Sequence, residues 1–224
     1  MLELQELLEG ALCMIQGIRM LLSLAVGYLL GGLSPAVMMG RIKGYDVRSG
    51  GTGNAGASNT VLMAGTLAGA VVAFLDIFKA FIACMLGRAL GGAPMGLVVG
   101  GVGAVLGHMF PAHLSFRGGK GLACIGGVIL ACDPRVFLPL VGVALAIIFV
   151  TRAPSVVAPV ISVTWPLVYG LRSNHWLGAA VLAAPVIPIV IKHVPNFRRI
   201  ARGDEPRMRL LWRRDEELRR MGRK

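Results

Sequence analysis

Apolar and polar positions alternate along this chain in long blocks rather than at the period of a soluble helix or strand. Apolar runs cover residues 20–40, 60–88, 94–110, 121–132, 136–150, 155–171 and 176–191, with short polar stretches between them. A run of about 20 apolar residues matches the hydrocarbon thickness of a bilayer when helical. The pattern therefore predicts an all-α polytopic membrane protein of seven transmembrane helices. The fourth run is short, and it is expected to be re-entrant or oblique. Residues 1–19 place Glu3, Glu6 and Glu9 among leucines, which predicts an amphipathic interfacial helix ahead of the bundle. That segment lacks the basic start of a signal peptide and is expected to be retained. Residues 20–191 form the bundle, and residues 192–224 form a basic tail.

Charge orients this pattern. Twelve of the 23 Lys and Arg residues lie in 192–224. With the tail on the cytoplasmic side, seven spans put the N-terminus outside. Eighteen basic residues then face the cytoplasm and four face outward, as the positive-inside rule requires. The tail suits anionic lipid headgroups, at roughly 1 kcal/mol for each basic residue near the surface.

Composition agrees with this reading: 55% of residues are hydrophobic and 15% charged, with mean hydropathy +0.72. Aromatic residues make up only 6%, and the net charge of +12 is concentrated beside a membrane segment. Nucleic-acid binding, which uses aromatic stacking platforms, is disfavoured. Cys13, Cys84, Cys124 and Cys132 have no metal-site or disulfide spacing and read as small apolar side chains.

Three polar segments then fall on one face of the bundle. Arg117-Gly-Gly-Lys120-Gly121 lies between two apolar runs. Glycines beside a lysine let backbone N–H groups approach an anion, and a following helix adds its positive end. This stretch reads either as a phosphate cradle or as a tight turn facing headgroups. A Walker A loop is absent, because Leu114 stands where that motif needs its first glycine. Gly51-Thr-Gly-Asn-Ala-Gly56 fits a dinucleotide fingerprint, but an apolar helix precedes it instead of a strand. It reads instead as a loop carrying Thr52, Asn54, Ser58 and Asn59, with Ser58 or Asn59 as a possible helix cap. The third segment holds His193, Asn196 and Arg199, which share a helix face if Pro195 falls in the first turn. Glu205 is placed to orient His193 or Lys120. Asp76 and Lys79, three apart inside a span, are expected to pair. His108 and His113 give only a weak metal signal.

These segments, with Leu75-Asp-Ile-Phe-Lys79, Gly107-His-Met-Phe-Pro111 and His193-x-x-Asn-x-x-Arg-Ile-x-x-Gly-x-Glu205, resemble the bacterial membrane family of acyl-phosphate:glycerol-3-phosphate acyltransferases. The resemblance implies a seven-helix protein of the bacterial plasma membrane that moves a fatty acyl group from acyl phosphate to the 1-hydroxyl of glycerol 3-phosphate. The products are lysophosphatidic acid and phosphate, with no cofactor. It implies that Gly118, Gly119, Lys120 and Gly121, helped by Arg117, hold glycerol 3-phosphate. Thr52, His193, Asn196 and Glu205 line the reacting centre, and Asn54, Ser58 and Asn59 bind substrate. Two departures stand out: Thr52 replaces the family's usual serine, and Leu62 replaces its usual arginine. Lys43 or Arg48 is the expected substitute cation. The alternatives are a divergent relative with another donor or polyol-phosphate acceptor, and an organic-phosphate transporter; the absence of an internal repeat argues against transport.

Overall fold

The computed structural model describes residues 1–205 and Arg219. It is helical throughout, with no strand among the described residues, and six helical stretches are long and apolar enough to cross a membrane. Helix α1 (Leu2–Gly32) ends where Ser34 caps the short α2 (Pro35–Ile42), its side chain accepting from the Val37 amide. α3 (Ala57–Ala64) and α4 (Thr66–Gly91) are divided at Gly65, whose φ of 93° breaks the helix. α5 (Met95–Met109), α6 (Leu122–Cys132), α7 (Pro134–Thr151) and α8 (Val157–Ser173) follow. α9 (Trp176–Ala183) and α10 (Val186–Arg202) together make the last span.

Two expected boundaries are absent. Residues 1–19 are continuous with the first span in one unbroken helix, and α10 runs through 191 as far as Arg202. Pro195 lies well inside α10 rather than in its first turn. Beyond Glu205, all of the expected basic tail except Arg219 lies outside the described residues.

α5 is the centre of the bundle, packed between α1 and α4. It can be so close because glycines line the contact. A Cβ on Gly27 would lie 2.1 Å from the Gly100 carbonyl oxygen, and one on Gly107 would lie 2.0 Å from that of Tyr28. Facing small residues let helix backbones touch, which replaces the hydrophobic drive that lipid removes.

α6 has 11 residues, about 16 Å at 1.5 Å per residue, roughly half a bilayer core. The preceding loop accounts for the missing depth. The Gly118 amide donates to the Met109 carbonyl and the Gly119 amide to that of His108, so the loop folds back along the last turn of α5. At the far end of α6, Asp133 meets Arg172 of α8 at 2.7 Å. The short fourth element is thus a loop folded back on α5 followed by a helix of 11 residues.

Candidate active site

A cavity of about 460 Å³ opens at the end of the bundle where these loops meet. Thr52, Asn54, Ser58, Lys120, Gly121, His193, Asn196 and Glu205 all line it, so the three sequence segments converge. Its other walls are apolar and come mainly from α6, α7 and α8, among them Ile129, Phe137, Leu140, Ala144, Ile148 and Ile161. A polar head and an apolar slot are joined in one space.

The first loop is built around Asn59. Its side-chain amide donates to the carbonyls of Val47 (2.6 Å) and Gly50 (3.2 Å), and its oxygen accepts from the Thr52 amide at 2.6 Å. Gly51, at φ 58°, has no room for a side chain: a Cβ would lie 2.1 Å from the Asn59 oxygen. Asn59 is buried and absent from the cavity wall, so it organises the loop instead of meeting a ligand. Gly56, rather than Ser58 or Asn59, caps α3, and the first residues of α3 face the cavity with no side chain capping that helix.

The glycine loop departs from the expected cradle. The amides of Gly118 and Gly119 are already committed to α5 carbonyls, so they offer nothing to an anion. Their tight fit explains the glycines, since a Cβ on Gly119 would lie 2.1 Å from the His108 ring nitrogen Nε2. The carbonyls of this loop are satisfied by Lys192. Its Nζ donates to Met109 (2.6 Å), Gly119 (3.2 Å) and Gly118 (3.4 Å), and lies 4.6 Å from the centre of the Phe110 ring. Buried non-helical backbone requires such partners. Lys192 was not legible as part of the site, because one lysine in a basic tail carries no distinguishing signal.

What faces the cavity is Lys120, together with the N-terminus of α6, which begins at Leu122 with no side-chain cap. The positive end of the helix and the ammonium group reinforce one another for an anion. Burial, followed by the nearby Arg199 charge, lowers the Lys120 pKa to about 8. Its Nζ donates to the Asn196 side-chain oxygen, Asn196 donates onward to Glu205 Oε1 at 2.6 Å, and Arg199 Nε donates to Glu205 Oε2 at 2.8 Å. Glu205 therefore orients Asn196 and, through it, Lys120; it makes no direct contact with His193 among these bonds. The His193 Nδ1 lies 2.8 Å from the Ile189 carbonyl. Only a protonated Nδ1 satisfies that carbonyl, which leaves the lone pair on Nε2 in the neutral ring.

Lys43, Arg48 and Arg117 do not line the cavity. Arg48 instead forks onto Asp46 through two 3.1 Å bonds. The fork holds the Asp46 carboxyl below its usual range. Leu62 is buried in the cavity wall, with Lys120 the sole Lys or Arg there among the described residues. Asp76 and His108 form the floor. Lys79 Nζ sits 2.6 Å from Asp76 Oδ1, 3.0 Å from His108 Nδ1 and 2.5 Å from the Leu33 carbonyl. Asp76, His108 and Cys124 offer ligand atoms within 4.8 Å of one another, but the Lys79 ammonium already occupies the position of a cation between Asp76 and His108. The trio reads as an ion-paired brace, as expected for Asp76 and Lys79.

Comparison with known proteins agrees with this geometry. Residues 21–203 match the protein family described as "Glycerol-3-phosphate acyltransferase". The chain is 38% identical to glycerol-3-phosphate acyltransferase 1 of Deinococcus radiodurans over 191 residues, covering 84% of this chain and 95% of that protein. It is 35% identical to the glycerol-3-phosphate acyltransferase of Coxiella burnetii (strain Dugway 5J108-111), covering 85% of this chain and 98% of that one. Among solved structures it is similar to PlsY, an integral membrane glycerol 3-phosphate acyltransferase. The glycerol 3-phosphate form superposes with TM-score 0.75 at 32% identity, covering 84% of this chain and 95% of that chain. The lysophosphatidic acid form gives 0.72. With its converging loops, its cavity and these relatives, the chain belongs to the membrane glycerol-3-phosphate acyltransferase family.

Proposed function

We propose that this cavity transfers a fatty acyl group from acyl phosphate to the 1-hydroxyl of glycerol 3-phosphate, at the cytoplasmic face of a bacterial plasma membrane, with the N-terminus outside. The observation that carries this reading is the continuity of an anion-attracting head with an apolar slot inside one cavity. Glycerol 3-phosphate sits at Lys120 and the α6 N-terminus, and the donor's chain lies along α7 and α8. The hydroxyl oxygen attacks the acyl carbonyl carbon, the carbonyl–phosphate C–O bond breaks, and inorganic phosphate leaves. The His193 Nε2 lone pair accepts the hydroxyl proton. Because the mixed anhydride already has a good leaving group, the protein's main contribution is to align two anionic substrates against their repulsion. Asn196 and Glu205 hold Lys120 in place, and Thr52, Asn54 and Ser58 supply short hydrogen-bonding groups at the cavity mouth.

The test is an end-point assay on purified protein with acyl phosphate, acyl-CoA and acyl-carrier donors. Product from acyl phosphate alone, together with a fall of about 10²–10³ in Lys120→Ala, is expected. Full activity in that variant removes Lys120 from the mechanism, and no product from any donor favours transport. Leu62 in the cavity wall supports a second reading, a different polyol-phosphate acceptor. A gain in glycerol 3-phosphate turnover in Leu62→Arg would favour it.

A further inference from the structure

The family match begins at residue 21, yet α1 begins at Leu2. Every residue from Glu3 to Arg19 is exposed. Its second half packs on α4 and α5, and going toward the N-terminus the last hydrogen bonds to the bundle are Gln16 Nε2 to the Gly91 carbonyl (3.0 Å) and Arg19 Nε to that of Leu90 (2.5 Å). Those carbonyls end α4, so Leu2–Ile15 rises past it by about 21 Å at 1.5 Å per residue. A helix standing clear of its bundle while exposing Leu4, Leu7, Leu8, Leu12 and Ile15 needs a partner for that face.

The spacing says what kind of partner. Leu4, Leu8, Ala11, Ile15, Ile18, Leu22, Ala25 and Leu29 repeat at steps of four and three without a break. That is the a/d seam of a coiled coil, with a at Leu8, Ile15, Leu22 and Leu29 and the small Ala11 and Ala25 at d. All eight positions are exposed. In the spanning half they lie about half a turn from Ser23, Gly27 and Gly31, which are buried against the bundle. The seam therefore runs uninterrupted from the free segment down the outer face of the span. Glu3, Glu6 and Glu9 fall at c, f and b, away from the seam, so two such helices meet without apposing their carboxylates. Copies inserted with one topology are parallel, and parallel copies align this seam residue for residue.

We propose that α1 pairs with α1 of a second copy of this chain as a parallel coiled coil along Leu4–Leu29, making the protein a homodimer with its catalytic cavities facing away from the seam. This does not depend on the reaction proposed above. Cys13 falls at position f, on the side away from the partner, and is exposed; it is a built-in negative control. In membranes carrying the full chain, oxidative cross-linking of Ala11→Cys in a Cys13→Ser background is expected to give a species of twice the 23.6 kDa monomer mass. The native chain, with Cys13 alone at this level, is expected to stay monomeric on the gel. The double variant Leu8→Glu, Ile15→Glu is expected to halve the protein mass measured in detergent without shifting thermal unfolding, because the bundle contacts begin at Gln16. Absence of the Ala11→Cys product, equal products from positions 11 and 13, or a monomer mass for the native chain overturns the proposal. So does quenching of a probe at position 8 by bilayer-borne quenchers without any cross-link, since lipid then covers the face.

Discussion

Helix α5 is buried along most of its length, whereas α7 has no buried residue, although both border the same cavity. On the α5 side, backbones meet through glycine and the polar groups near the cavity are braced. His108 is pinned by Lys79 and Asp76, and the loop after α5 is stapled by Lys192. On the α7 side, Val141 and Leu145 line the cavity and are themselves exposed, so the wall there is loosely packed. The contrast separates two tasks. On the proposed reading, groups that must be positioned to fractions of an ångström sit on the tightly packed wall, and the loosely packed wall takes the apolar chain.

The sharpest test of the contrast is steric. Gly107→Ala places a methyl group against the Tyr28 backbone, where no side chain can yield, and is expected to cost about 3 kcal/mol, the upper end of overpacking penalties. Leu145→Ala on α7 is expected to cost less than about 1 kcal/mol. Thermal unfolding in detergent reads both, and equal shifts would erase the distinction. Lys192→Met removes the charged donor from the Met109, Gly118 and Gly119 carbonyls and is expected to destabilise by about 2 kcal/mol, with activity lost alongside folding stability. Ala144→Phe fills the slot from the loosely packed side. It is expected to lower kcat/KM for long-chain relative to short-chain acyl phosphates about tenfold while unfolding is unchanged. An unchanged ratio would move the acyl chain out of this slot.

The smallest effect concerns proton binding. With the Lys120 pKa lowered to about 8, its charge and its attraction for an anion are present below that pH and lost above it. The pH profile of kcat/KM is expected to fall by half as pH rises through about 8. In Lys120→Arg the descending limb should move out of range, because a guanidinium stays charged. A limb that stays put assigns it to another group.

Much of this arrangement was legible in the sequence, for reasons that also mark where legibility stopped. The apolar runs of spanning length coincide with helices, because hydrocarbon thickness imposes a length that residues alone can meet or miss, and the short fourth run forms a helix of only 11 residues. Thr52, Lys120, His193, Asn196 and Glu205 stood out as polar residues beside apolar runs, and they converge. The roles of Gly118, Gly119 and Asn59 did not follow. A glycine kept for close packing against His108 and one kept to expose an N–H are identical in sequence. An asparagine that ties a loop together likewise looks the same as one that binds a ligand. The acyl slot carried no signal, since Phe137, Leu140 and Ala144 are ordinary members of an apolar run. Composition separates an interfacial helix over 1–19 from a span starting at Met20, whereas the two are one continuous helix from Leu2.

Lys192 and His193 are consecutive on α10, one bolted to the loop carbonyls and the other facing the ligand space. Sliding or turning that helix would shear three hydrogen bonds before it moved the imidazole, which makes α10 the anvil of the site rather than its door. Under the proposed function, long-chain molecules are then expected to pass on the opposite flank, along α7. Deuterium uptake along 134–151 should respond to an acyl ligand while 186–202 stays silent.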